Sequence, residues 1–527
     1  MGLPAMPRCA PRCKARVLGL SVNMATRAER RSETPGCQDC QDSNKCLPLA
    51  ARLPDHGVSI VERIGRGGVI DLRGEPMTGF ISAFRGAVCL VLVGAVVALA
   101  LPPVFADDLE LGVETSASVY ARGLRLDPAI SANPQKITTT LQGITFDSNY
   151  DNGSLLSVAS AAGTDAFNCG IYTESGDRGT AVYWFRFRMT GVAGRTVTLN
   201  MTHTQNPRPV VSVNGAPFRR TTAVEAPSTS KLVLTFGAAE DVAEVAFYFP
   251  MGYQEMHDQV NARVAAGIGG TTQTIGNSFQ GREMLMATVT DTAVTDTGKR
   301  RVWVHARAHA GEVTSSHVAL GFLEQILEDS DLGRRLRRNC IFTVVPTLNC
   351  DGVYLGLTRW DSQGRDPERE WNQSPMTPET ANMKAKVDPF MAGPNPIQVA
   401  LNLHSTVGSY TDTFFFKHVQ PSITANFELI QQRYIDALNG ATPMFENLSP
   451  QTSQLDPSIF IESYFWNNWG EAVMAMTHEG NFRTRVSDGG WSTDADYRNI
   501  GRGMAAAMVE YFNLPPLPSG VEDWTIY

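Results

Sequence analysis

From about residue 260 onward the chain alternates short apolar runs with longer stretches of helical spacing, and this alternation constrains its fold more than any other feature. Arg301–Ala308 (RVWVHARA), Ile341–Leu348 (IFTVVPTL), Ile397–Leu403 (IQVALNL) and Ala472–Thr477 read as strands. Over Val313–Glu328, Val318, Leu320, Phe322, Leu323, Ile326 and Leu327 recur at helical spacing; near the end Met504, Met508, Tyr511 and Phe512 share one face of a closing helix, Met504–Phe512. Strands that lack a polar alternation are buried on both faces, so helices must cover both sides of their sheet. The pattern predicts an α/β domain over 256–515 with a mixed, largely parallel sheet flanked by helices. In such sheets functional groups gather at strand ends.

The preceding stretch, 107–255, reads differently. Ala181–Met189 (AVYWFRFRM) alternates aromatic and basic residues, Thr196–Met201 is rich in β-branched residues, and Val210–Val213 meets Asn214-Gly215, a two-residue hairpin signal. Lys231–Phe236 and Val242–Phe249 supply two more strands. Short strands separated by turn signals predict a small antiparallel β-sandwich domain ahead of the α/β one. The Ser228-x-x-Lys231 string lacks partner motifs and reads as a loop. Residues 516–527, beyond Leu514-Pro515, form a C-terminal tail.

One segment is apolar enough to concern a membrane: Gly86–Leu101, GAVCLVLVGAVVALAL. Its 16 residues fall short of the roughly 20 that a spanning helix needs. Arg85 precedes it, and Val104-Phe105-Ala106 and the acidic Asp107-Asp108 follow, which is the layout of a secretory signal peptide over 77–106. The expectation is an exported protein, periplasmic or secreted, with mature residues starting near Asp107; an uncleaved membrane anchor facing the periplasm is the alternative. On this reading Met77 is the true start and 1–76 a disordered, mis-called leader. A membrane would be met only through this N-terminal segment.

The formal net charge is −8, although residues 1–76 hold 12 Lys and Arg against 8 Asp and Glu; the acidic excess lies further on. That balance argues against a nucleic-acid partner. Five of the nine cysteines lie in 1–76 and Cys89 in the apolar segment, so Cys169, Cys340 and Cys350 allow at most one disulfide in the mature chain. The pair Cys37 and Cys40 has the spacing of half a zinc knuckle, but nothing around it is patterned to fold.

His309-Ala-Gly-Glu312 follows the strand 301–308 directly and precedes a helix. Residues i and i+3 of a turn can aim an imidazole and a carboxylate at one point, a donor pair that suits zinc. The plainer alternative is a helix-cap pair, with Glu312 at a positive helix N-terminus. His404 closes the strand 399–404 and is the second candidate ligand; its alternative is a strand-end histidine bonded to backbone. His305 alternates within its strand and His317 falls one turn into the helix, where it packs. A His₂Glu set leaves a coordination position open, and metal-assisted hydrolysis then needs a separate general base. Glu479, at the end of another buried strand, is the candidate, since alternation points its neighbour His478 the other way.

These residues resemble the zinc metallocarboxypeptidases of the carboxypeptidase A superfamily, and among them the cytosolic carboxypeptidase, deglutamylase-type branch. The resemblance runs from about 180 to 512. It is carried by Phe279-Gln-Gly-Arg282, Ala306-Arg-Ala-His309-Ala-Gly-Glu312, Val345-Pro-Thr-Leu-Asn349-Cys-Asp351-Gly352-Val353, Arg359, Gly364-Arg-Asp366-Pro-Glu-Arg369-Glu-Trp371, Leu403-His404-Ser405 and Thr477-His-Glu479. It implies one Zn²⁺ per chain held by His309, Glu312 and His404, and a peptide or protein C-terminus as substrate. Glu479 would be the general base and acid. Arg359 would polarise the scissile carbonyl and hold the oxyanion, and Arg369 would bind the terminal carboxylate.

Two departures stand out. The family reads Asp-Leu-Asn-Arg where this chain has Asp366-Pro-Glu368-Arg369, so Glu368 meets the substrate's carboxylate with a like charge unless it is protonated or turned away. A substrate bearing an amine there becomes thinkable. The family's capping tyrosine has no clean match, and Tyr464 is the nearest candidate. The favoured reading is a zinc metallocarboxypeptidase; the alternatives are a zinc amidohydrolase on cell-wall peptides or N-acyl substrates, and a catalytically weakened binding protein.

Overall fold

The structure, a computed structural model, describes residues 135–202, 208–407, 413–443, 451–455, 458–485 and 488–518, all within one compact unit. The leader 1–76, the apolar segment 77–106 and most of the tail 516–527 lie outside the described residues. Among the described residues no helix is long and apolar enough to cross a membrane.

The sheet of the α/β half has eight strands, in the order Gly270–Asn277, Glu283–Val289, Cys340–Val345, Arg300–Ala306, Ile397–Thr406, Met474–Asn481, Phe414–His418 and Gln451–Ser453. Its four central strands, from Cys340–Val345 to Met474–Asn481, run parallel, and the next strand on either side is antiparallel to them. The four apolar runs read from sequence are these four central strands. Each is buried on both faces, because helices lie on both sides of the sheet. Thr314–Leu327 and Asp494–Tyr511 pack together on one side, and glycine makes the crossing close. A Cβ on Gly321 would lie 1.9 Å from the Arg498 carbonyl oxygen, and one on Gly501 would lie 2.0 Å from that of Val318.

The closing helix starts ten residues before the predicted Met504. Its N-terminus is a capping box in which the Thr493 hydroxyl accepts from the Asp496 amide, and the Asp496 carboxylate accepts in return from the Thr493 amide at 2.8 Å. Thr-x-x-Asp is a local signal that the search for apolar periodicity passed over.

The β half holds a six-stranded antiparallel sheet, ordered 138–141, 144–147, 186–190, 242–246, 210–213 and 219–220, and a four-stranded sheet, ordered 231–235, 196–201, 166–170 and 157–160. Phe146 of the first meets Phe167 of the second edge-on at 4.9 Å, so the two sheets face each other. The second is not wholly antiparallel as expected, because Ala166–Gly170 pairs parallel with Thr196–Met201.

Two strand expectations fail here for local reasons. Ala181–Met189 is interrupted: Gly179–Ala181 belongs to a separate hairpin with Glu174–Gly176, and the strand resumes at Arg186. In between, the amides of Tyr183 and Trp184 turn to the Thr358 hydroxyl at 3.4 and 3.3 Å, so a tertiary partner replaces the ladder. Asn214 and Gly215 do take left-handed φ values of 48° and 75°, but pairing resumes only at Arg219 opposite Val211. Pro217, which has no amide hydrogen for a ladder, sits in the longer loop.

A single buried apolar cluster runs from Phe167 and Trp184 of the β half to Phe322, Phe482 and Met504 of the α/β half. Cys169, Cys340 and Cys350 are buried free thiols.

Candidate active site

The parallel strands bring the chemistry to their carboxyl ends. Arg300–Ala306 leads into His309 and Glu312. His404 lies on the adjacent Ile397–Thr406, directly opposite Glu479 on the next strand. His309, Glu312 and His404 offer one donor atom each within 4.8 Å of one another, and all three residues are buried. Among the described residues this is the one such group.

The turn carrying His309 and Glu312 is braced by Arg307. That residue has φ 60°, a sparsely populated conformation for a side chain with a Cβ. Its buried guanidinium donates to the Ala310 carbonyl at 2.5 Å, the Ser316 hydroxyl at 3.0 Å and the Met251 carbonyl at 3.2 Å. Sequence reasoning passed over Arg307, because nothing local distinguishes a buried arginine from a surface one.

Glu312 lies between the two imidazoles. Its oxygens are 2.6 Å from His309 Nδ1 and 2.7 Å from His404 Nδ1, and the Ser405 amide donates to it at 3.0 Å. Burial alone would raise its pKa, but the facing imidazoles outweigh that and hold the carboxyl below the usual range. Each imidazole turns its other nitrogen to a second carboxylate: His309 Nε2 is 3.1 Å from Asp366, and His404 Nε2 is 3.1 Å from Glu368. The two Nδ1 atoms therefore converge on Glu312. Two imidazole nitrogens and a carboxylate, each held by a further hydrogen bond, fit zinc.

Glu479 is half-buried, and its Oε2 is sealed from solvent with no hydrogen-bond partner among the described residues. Burial first, then the charges of Glu312 and Glu368, push its carboxyl up to about 8, against the pull of His404 and Arg359. His478 is buried and packs edge-on against Phe415 at 5.3 Å, so the strand points it away as alternation required. His305 accepts from the Trp303 indole at 3.2 Å, and His317 bonds the Phe249 carbonyl at 3.0 Å; both pack in the interior.

Arg359 and Arg369 meet at Asp366. Arg359 Nε and Nη2 reach Asp366 Oδ2 at 3.0 and 2.9 Å, and Arg369 Nη1 reaches the same oxygen at 3.0 Å. Burial would raise the Asp366 pKa, but His309 and the two arginines hold it well below the usual range. The loop bearing Arg359 is tied to the β half, where the buried Glu174 accepts from the amides of Arg359 and Trp360.

Glu368 is drawn to His404 and to Asn402, whose side-chain amide donates to it at 2.9 and 3.1 Å. Tyr464 is not brought to this cluster: its hydroxyl donates to Asp388 at 2.5 Å and its ring packs on Trp371 at 5.3 Å.

Residues 269–440 match the zinc carboxypeptidase family model. The chain is similar to cytosolic carboxypeptidase 2 of Xenopus tropicalis, at 30% identity over 29% of this chain and 17% of that one. It is also similar to cytosolic carboxypeptidase 6 of Mus musculus, at 28% identity over 26% of each. The matches thus span well under half the length of these relatives. Its fold is that of a metallo-carboxypeptidase from Pseudomonas aeruginosa, with a TM-score of 0.61 and 18% identity, over 70% of this chain and 99% of that one.

Proposed function

We propose that this chain, whose residues 269–440 match the zinc carboxypeptidase family, is itself a zinc-dependent metallocarboxypeptidase that removes the C-terminal residue of a peptide or protein. The observation that carries this reading is the placement of an unbonded Glu479 carboxylate opposite His404, beside the buried His309–Glu312–His404 group. Zinc held by those three residues supplies Lewis acidity, acidifying water and polarising a carbonyl.

The rest falls to the chain's own side chains. Glu479 takes the proton of the attacking water and returns it to the leaving amine, a role open to a carboxylate whose Oε2 has no other hydrogen bond among the described residues. Arg359, oriented by Asp366, stabilises the charge that develops on the oxygen of the scissile carbonyl. Arg369, with about a quarter of its side chain exposed, keeps donors for the terminal carboxylate. Asp366 orients both arginines through one oxygen and the His309 ring through the other.

The test is a mixed peptide library incubated with the zinc-loaded full chain, in free-acid and C-terminally amidated forms, with products read by mass spectrometry. The Glu479→Gln protein gives the background. Single-residue trimming of the free-acid set alone supports the proposal. Cleavage of the amidated set, or of neither, sinks it and moves the search to amidohydrolase substrates. Export through Gly86–Leu101 is proposed on the sequence alone, and the N-terminal residue of secreted protein, expected near Asp107, tests it.

A further inference from the structure

A single short turn serves both imidazoles. Pro367–Arg369 is a turn of 3₁₀ helix capped by Asp366, which accepts from the Glu368 amide at 3.1 Å. Asp366 and Glu368, two residues apart, project to different rings, the first to His309 Nε2 and the second to His404 Nε2, each at 3.1 Å. Glu368 is 4% exposed, so its charge is answered inside the protein. Both its oxygens accept from the Asn402 amide. Asn402 and His404 are i and i+2 on one strand and share a face, so the strand that presents the imidazole also presents the group that fixes its carboxylate partner.

We infer that Glu368 is a positioning residue for His404, and does not serve as part of the substrate's carboxylate site. An imidazole that gives one nitrogen to a metal carries its proton on the other, and a carboxylate on that proton fixes the tautomer and the ring plane. Glu368 accepts the Nε2 proton and leaves the Nδ1 lone pair facing Glu312. An asparagine at this position would be shorter by one methylene and uncharged, a weaker acceptor. The departure that set a like charge against an ordinary C-terminal carboxylate thereby takes a different meaning, because the charge is turned away to a ring nitrogen. This rests on the carboxypeptidase reading only for the identity of the metal.

The test compares the full-chain protein with Glu368→Gln and Glu368→Asp. Zinc affinity is measured by competition with a chromogenic chelator, and the visible spectrum is recorded with Co²⁺ in place of zinc. Melting in excess chelator confirms that each apo protein is folded. Glu368→Gln is expected to weaken zinc binding by about 10- to 100-fold and to shift the Co²⁺ bands. Glu368→Asp keeps the charge and should recover part of the affinity. For a free-acid peptide at saturating zinc, KM should stay within about twofold of the parent while kcat falls. Zinc affinity and Co²⁺ bands that match the parent, together with a large change in KM, would overturn the inference and return Glu368 to the substrate site. The metal readings need no cleavable peptide. A chain that binds zinc but trims nothing would therefore defeat the proposed activity and leave this inference standing.

Discussion

Arg359 meets Asp366 through two nitrogens on one oxygen, Nε at 3.0 Å and Nη2 at 2.9 Å from Oδ2. Arg369 reaches that same atom, so a fully buried carboxylate holds two guanidinium groups side by side. That shared oxygen holds both guanidinium planes in place before a substrate arrives.

The two arginines should therefore fail in different ways. Arg359→Ala removes a donor aimed at developing charge and is expected to lower kcat by about 10²- to 10³-fold. Arg369→Ala should mainly raise KM for free-acid peptides and erase the preference over amidated ones. Steady-state kinetics on a matched peptide pair decide this; equal losses in kcat from both variants would contradict the division of labour.

Glu479→Gln keeps the shape of the side chain and removes its basicity. A general base contributes roughly 10²- to 10⁴-fold, so kcat should fall within that range while zinc affinity stays near that of the parent. A variant that loses zinc would show that Glu479 is a ligand instead.

Stripping the metal should abolish peptide trimming, and zinc should restore it. Because the three donors are scattered in the unfolded chain, zinc at about 1,000 times its Kd should stabilise the fold by about 4 kcal/mol. Melting curves with and without chelator measure this, and His404→Ala should show no zinc-dependent shift.

Glu174 gives a pH dependence remote from the metal. Burial pushes its carboxyl up from the ordinary 4.5 to about 8, against the hydrogen bonds from the Arg359, Thr358 and Trp360 amides. The folded pKa lies above the unfolded one, so the associated stability is full below about pH 4.5 and is lost as pH rises through about 8. Within that window one proton is worth about 1.4 kcal/mol per pH unit. Glu174→Gln, which can still accept these amides, should remove a slope of up to about that size from the unfolding free energy between pH 5 and 8, read by chemical denaturation at each pH. An unchanged profile would refute the assignment.

The helix crossing at Gly501 opposes two magnitudes. Alanine is the better helix former by about 1 kcal/mol. The new Cβ would, however, meet the Val318 carbonyl oxygen at 2.0 Å and the Phe322 amide nitrogen at 2.7 Å, and neither can swing aside as a side chain could. Overpacking should prevail, with Gly501→Ala destabilising the protein by about 1–3 kcal/mol in chemical denaturation. A neutral or stabilising result would mean that the helices can separate at no cost.

The sequence alone determined the four central strands, since an unbroken apolar run has nowhere to go but the middle of a covered sheet. It also determined which residues stand at their ends. His309, Glu312, His404 and Glu479 could be placed at those ends because strand alternation and the i, i+3 turn are local geometry, although their joint role came only from the family resemblance. Tertiary structure decided what sits beside them. Whether Glu368 faces a substrate or His404 depends on Asn402, 34 residues away. Whether Tyr464 reaches the site depends on Asp388, and whether Tyr183 and Trp184 continue a strand depends on the Thr358 hydroxyl. A side chain's chemical type is written in its own codon, but its partner is chosen by contacts between distant segments, and periodicity carries no record of those.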